Sequence, residues 1–82
     1  MVVTIRLFAM LRERAGQGSL RLELGEGATV HDAIAAVGQR ADLRQLVADL
    51  PLVMAVNRAY AAAETPLHEG DELALIPPLS GG

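Results

Sequence analysis

The chain has no cysteine, no lysine and no tryptophan, and only two aromatic side chains, Phe8 and Tyr60. Without cysteine there is no disulfide scaffold, no thiolate metal site and no cysteine nucleophile. All seven basic residues are arginine, at 6, 12, 14, 21, 40, 44 and 58, and the formal net charge is −3. They never form a block, and the basic face interleaved with stacking aromatics that nucleic-acid binding demands is missing, so no nucleic-acid partner is expected. No apolar stretch is long enough to span a bilayer, and the N-terminus alternates where a secretory signal would run apolar. A cytoplasmic protein without membrane association is the expectation.

What the chain does have is aliphatic: 51% of its 82 residues are hydrophobic, nearly all Val, Leu, Ile and Ala. That is enough for one small core and too little chain for a cleft between two lobes. Val2 to Phe8 reads as a strand, with Val3, Ile5 and Leu7 on one face and Val2, Thr4, Arg6 and Phe8 on the other. Leu11 to Ala15 has room for a short helical turn before Gly16 and Gly18. Ser19 to Leu24 alternates, Leu20, Leu22 and Leu24 against Arg21 and Glu23, and completes an opening hairpin.

Thr29 and Asp32 have the spacing of a capping box, and Val30, Ala33, Ile34 and Val37 follow at helical spacing, with Gly38 placed to stop the helix. Leu43, Leu46, Val47 and Leu50 repeat that spacing as far as Pro51, a second, shorter helix. Leu52 to Val56 reads as a buried central strand and Tyr60 to Ala63 as a brief edge strand. Thr65 to Leu67 reads as a loop or single turn. His68-Glu69-Gly70-Asp71 is a turn, and Glu72 to Ile76 is the last strand, with Leu73 and Leu75 inward. A mixed sheet with one main helix across a face is the α+β arrangement of the ubiquitin-like β-grasp. The domain is expected over 1–76, followed by a flexible tail over 77–82.

Few polar residues converge. His31 and His68 have no partner at ligand spacing, so no metal site is expected. Gly16-Gln17-Gly18 and Gly25-Glu26-Gly27 match neither the dinucleotide fingerprint nor the P-loop. No nucleophile–base pair stands out, and no cofactor is expected on the chain itself. The last six residues are different. Pro77 and Pro78 lack the amide donors a sheet ladder needs and stiffen the exit. Leu79, Ser80, Gly81 and Gly82 follow, giving a reach of roughly 20 Å at full extension. Two residues without Cβ can enter a narrow tunnel. The chain is expected to end at Gly82, whose α-carboxylate is the reactive group at the tip; if a partner adenylated it, a sulfur nucleophile could displace AMP and leave a thiocarboxylate. A frayed, inert terminus is the plain alternative.

Strand parity adds a second signal. Phe8 falls on the face of Thr4 and Arg6, and Ile76 on that of Glu72 and Ala74, away from the core sets. Together with Tyr60 they are expected to form an apolar cluster on the helix-free face near the tail, of the kind that marks an interface. A local bulge turning either residue inward is the competing arrangement.

Leu7-Phe8-Ala9-Met10-Leu11-Arg12-Glu13-Arg14-Ala15-Gly16, Gly27-Ala28-Thr29-Val30, Ala55-Val56-Asn57 and the block from Pro66 through Pro77-Pro78-Leu79-Ser80-Gly81-Gly82 resemble the family of molybdopterin synthase small subunits, ubiquitin-like sulfur carriers. The resemblance spans the chain and is most specific at its end. Arg40 to Leu50 and Arg58-Ala59 carry none of it. It implies that an ATP-dependent activating adenylyltransferase acts on Gly82 and that sulfur transfer makes a thiocarboxylate. It further implies that the tail enters the synthase large subunit, in a heterotetramer, and gives sulfur to cyclic pyranopterin monophosphate to build the molybdopterin dithiolene. Gly81 then gives clearance in the tunnel. Phe8, Tyr60, Ile76, Pro77, Pro78, Leu79 and Ser80 fall at partner contacts, ATP belongs to the activating enzyme, and acid–base residues belong to the large subunit. Three alternatives stay open: a carrier for thiamine or tRNA thiolation, a ubiquitin-like protein modifier, and an interaction domain with an inert tail. The lack of lysine excludes modifier chains built through internal lysines.

Overall fold

The computed structural model describes residues 1–78. Its elements run β1 (Val2–Leu7), α1 (Ala9–Ala15), β2 (Ser19–Glu23), α2 (Val30–Val37), α3 (Arg44–Asp49), β3 (Val53–Val56), β4 (Ala59–Tyr60) and β5 (Glu72–Ile76). The strands form one sheet in the order β2-β1-β5-β3-β4. First and last strands lie side by side and parallel at its centre, Ile5 opposite Leu73 and Leu7 opposite Leu75. The other pairings are antiparallel. This is the expected β-grasp.

Alternation decides which face each side chain takes. Val3, Ile5 and Leu7 of β1 and Leu73 and Leu75 of β5 are buried toward the helices, meeting Val30, Ala33 and Val37 of α2, with Leu11, Leu20, Leu43 and Leu67 closing the cluster. Each fully buried Leu or Val contributes roughly 1.5–3 kcal/mol through removal from water. No polar or charged residue is buried among the described residues.

The helix ends show why the chain turns where it does. Thr29 Oγ1 accepts the Asp32 N–H while the Asp32 carboxylate accepts the Thr29 N–H, so the capping box is complete. Two further donors of the first turn, the N–H groups of Val30 and His31, reach the carbonyls of Thr65 and Ala63. Gly16 ends α1 in the left-handed region (φ 75°), its N–H donating to the Arg12 carbonyl. Gly38 stops α2 as expected, and does so in a right-handed conformation (φ −66°). A Cβ there would lie 3.4 Å from the Ala35 carbonyl oxygen and 3.7 Å from Val47 Cγ1, ordinary contact distances, so neither the backbone nor the packing against α3 demands glycine at this end.

Several boundaries differ from the sequence reading, that of β3 among them, which begins at Val53 and not at Leu52. β1 stops at Leu7, and Phe8 is the extended N-cap of α1, which begins earlier than expected, at Ala9. β2 ends at Glu23, although Leu24 still donates its N–H to the Met1 carbonyl. β4 is only Ala59–Tyr60, not Tyr60 to Ala63. β3 is neither central nor wholly buried: it lies second from the edge, Met54 and Val56 pack toward the core, and Val53 is 45% exposed. The apolar run conceals that one sheet face has no helix on it.

Candidate functional site on the helix-free face

Register assembles the site. Arg6 pairs with Ala74, Ala74 with Ala55, and Ala55 with Tyr60, so one row crosses β1, β5, β3 and β4 on the face away from α2. The two alanines make a low floor. Around them Arg6, Phe8, Arg58, Tyr60, Glu72 and Ile76 border a depression of about 360 Å³. Val53 pairs with Ile76 and extends the apolar border. Tyr60 is 86% exposed, unusual for a large aromatic side chain.

Phe8, Tyr60 and Ile76 thus line one depression, with Phe8 and Ile76 half-buried. The β1–β5 pairs from Thr4↔Glu72 to Leu7↔Leu75 and the β3–β5 pairs from Val53↔Ile76 to Val56↔Leu73 run without a bulge. Pro77 is buried and Pro78 exposed just past β5. Leu79, Ser80, Gly81 and Gly82 lie outside the described residues. His31 and His68 are exposed and far apart in the chain, and among the described residues no group of His, Cys, Asp or Glu gathers at metal-binding distance.

Charge at the site is mixed. The Arg6 guanidinium sits 5.5 Å from the Phe8 ring centroid and 3.6 Å from Glu72 Oε1, steadying Phe8 against the sheet. Both charged partners are well exposed, so this pair orients more than it stabilises. Arg58 makes no ion pair among the described residues and puts a cation at the border of the depression.

Sequence reasoning missed Arg6, Val53, Ala55, Arg58, Glu72 and Ala74. Parity of Val53 and Ala55 against Ile76 and Ala74 was available once the strand order was known. Arg58 hides in the two-residue turn Asn57-Arg58, where both residues have positive φ (49° and 72°), as a tight hairpin turn requires. The turn is tied to β5 by Asn57. Its N–H donates to the Glu72 carbonyl (2.8 Å), its Oδ1 accepts the Glu72 N–H (3.0 Å), and its Nδ2 donates to Asp71 Oδ1 (2.9 Å). That bond, with a second from the His68 N–H, holds the Asp71 carboxyl below the usual carboxylate range.

The fold defines a small ubiquitin-like β-grasp domain, with an exposed, partly apolar depression that reaches the end of its last strand. The ThiS family matches residues 5–82, and the chain belongs to it. It is 36% identical over 92 residues to the molybdopterin synthase sulfur carrier subunit of Chlamydomonas reinhardtii, covering 100% of both chains. Against small archaeal modifier protein 1 of Haloferax volcanii it is 40% identical over 84 residues, 94% of this chain and 97% of that one. The crystal structure of that modifier, SAMP1, superposes with a TM-score of 0.87 over 100% of both chains at 37% identity. One chain of the Amycolatopsis orientalis BexX/CysO complex superposes with a TM-score of 0.70 at 25% identity, covering 98% of this chain and 99% of that chain. Among the described residues no helix is long and apolar enough to cross a membrane.

Proposed function

We propose that the chain is the sulfur-carrier subunit of a molybdopterin synthase. The observation that carries this reading is that β5, whose Ala74 floors and whose Ile76 borders the depression, runs directly into Pro77 and Pro78, where the C-terminal segment begins. A partner that holds this face therefore meets the chain where that segment leaves the domain. Family membership and the full-length relative named as a molybdopterin synthase sulfur carrier subunit support the same assignment.

In the proposed cycle an activating enzyme joins the Gly82 carboxylate to AMP from ATP and releases pyrophosphate. A sulfide-level donor attacks the acyl carbon, AMP leaves with the C–O electron pair, and the tail becomes a thiocarboxylate. In the synthase large subunit that sulfur forms a C–S bond to a side-chain carbon of cyclic pyranopterin monophosphate, and the oxygen substituent on that carbon leaves with the C–O electron pair. Water then cleaves the acyl–sulfur bond, leaving sulfur on the product and a carboxylate on Gly82. Two such transfers complete the dithiolene. Gly81 supplies clearance, Pro77, Pro78, Leu79 and Ser80 line the path in, and Phe8, Tyr60 and Ile76 dock the body. Each synthase large subunit takes one carrier, and the whole is a heterotetramer; ATP stays with the activating enzyme.

The similarity to a protein named as a modifier favours a second reading, in which an amine replaces sulfur as the nucleophile and Gly82 forms an isopeptide bond. Intact-mass measurement after incubation with the activating enzyme, ATP and a sulfur donor separates the two. Exchange of one oxygen for sulfur at Gly82, followed by dithiolene formation when the synthase large subunit is added, is the expected result. Loading without transfer to that subunit, together with Gly82-dependent adducts on other proteins, would replace the carrier reading by the modifier.

A further inference from the structure

The hairpin that carries Arg58 and Tyr60 has little of its own to hold it. β4 is two residues long, it joins β3 through the pairs Ala55↔Tyr60 and Val56↔Ala59 and one further bond from the Ala61 N–H to the Met54 carbonyl, and the turn asks two non-glycine residues to be left-handed. Its anchor lies on the other side, in β5. Past the last regular pair, Val56↔Leu73, Asn57 exchanges hydrogen bonds with Glu72 through its backbone N–H and its side-chain oxygen, so the side chain stands in for a missing stretch of ladder. Its amide then donates to Asp71, whose second oxygen is held by the His68 N–H. The turn at 68–71 and the turn at 57–58 are thereby locked to each other.

We propose that Asn57 and Asp71 are positioning residues for partner docking: their clamp sets where Arg58 and Tyr60 stand at the border of the depression. This rests on the reading of the helix-free face as the docking surface. The clamp touches no partner itself. It lowers the cost of ordering an exposed hairpin when the partner arrives, which is how preorganisation raises affinity.

The test measures affinity for the cognate synthase large subunit by calorimetry, using the full chain at a temperature where thermal unfolding shows every variant folded. Asn57→Asp sets two carboxylates against each other, and Asp71→Asn removes one acceptor oxygen. Each is expected to weaken binding, Asn57→Asp by about ten-fold, in the range of coupling within one hydrogen-bond network. The double exchange Asn57→Asp with Asp71→Asn reverses donor and acceptor. The amide at 71 then donates to the carboxylate at 57, which still accepts the Glu72 N–H, and affinity returns to within about two-fold of the parent. In an Arg58→Ala, Tyr60→Ala background, Asn57→Asp makes no further difference, because the side chains it positions are gone; a general loss of structure would weaken both backgrounds alike. If Asn57→Asp does not fold, Asn57→Gly keeps the left-handed turn favourable and deletes only the side-chain bonds. Parent-like binding by the single variants overturns the proposal, as does a double variant no better than Asn57→Asp. Parent-like binding by the Arg58→Ala, Tyr60→Ala chain instead overturns the docking reading beneath it, and amide exchange at 58–60, slow in the parent and fast in Asn57→Gly, tells the two failures apart.

Discussion

Ala9 has φ 50° without being glycine, and the reason is local geometry. Phe8 stays on the helix-free face while Leu11, three residues on, is fully buried in the core, so the chain must reverse between them. A left-handed alanine costs roughly 1–2 kcal/mol, and glycine would remove that cost while adding about 0.4–1 kcal/mol of unfolded-state entropy. Ala9 is exposed and loses no packing. Ala9→Gly is therefore expected to stabilise the domain by about 0.5–1 kcal/mol, read from the urea midpoint; a loss of stability would mean position 9 is not left-handed in solution. Asp71 gives a pH effect with a definite sign. Hydrogen bonds from Asn57 and the His68 N–H lower its folded pKa, so the unfolded chain binds the proton first as the solution is acidified. The stabilisation is present above the ordinary carboxylate range and is lost as pH falls through it toward the lowered value. Urea midpoints measured from neutral to acid pH should fall less steeply for Asp71→Asn than for the parent. Asp32, lowered by its bonds with Thr29, keeps part of the slope.

At the scale of elements, α2 has every donor of its first turn accounted for: Val30 and His31 bond to the 63–65 loop, Asp32 to Thr29 Oγ1, and Ala33 to the Thr29 carbonyl. Thr29→Ala removes one of these and the reciprocal side-chain contact, and should cost about 1 kcal/mol in chemical unfolding. This helix was legible because capping box and apolar stripe are both local signals. So was β2, whose alternation needs no neighbour to interpret it. The start of α1 was not, since Phe8 caps it without a side-chain bond and no polar residue marks the place. The exposure of Val53 was not either, because an apolar run does not say which sheet face lacks a helix. The site divides the same way. Phe8 and Ile76 stood out through parity against their own strands, whereas Ala55 and Ala74 become a floor only through register with distant strands. Arg58 depends on a tight turn whose Asn57-Arg58 sequence lacks the usual glycine.

For the molecule as a whole, two adjacent residues of one strand look into different worlds. Leu75 is fully buried under the helices, and Ile76 is half-buried on the face that carries the depression. A carboxylate at 75 has no charge or hydrogen-bond partner in a core without buried polar groups. Leu75→Asp should cost more than about 4 kcal/mol and leave the domain largely unfolded. Ile76→Asp can turn its carboxylate to water and should cost about 1 kcal/mol or less in stability. Its effect belongs to assembly instead. An aliphatic contact replaced by a charge at the border of the proposed docking patch should weaken binding to the synthase large subunit by about ten-fold or more, with Phe8→Asp and Tyr60→Asp behaving alike. Thermal unfolding and calorimetric titration on the same preparations separate the two quantities. If Ile76→Asp unfolds with Leu75→Asp, the strand does not divide core from interface, and the docking face must lie elsewhere. If it folds and binds as tightly as the parent, the tail alone recognises the partner. The expected result, a folded chain that no longer docks, would make the sheet's bare face the handle by which the carrier is held while its terminal glycines are worked on.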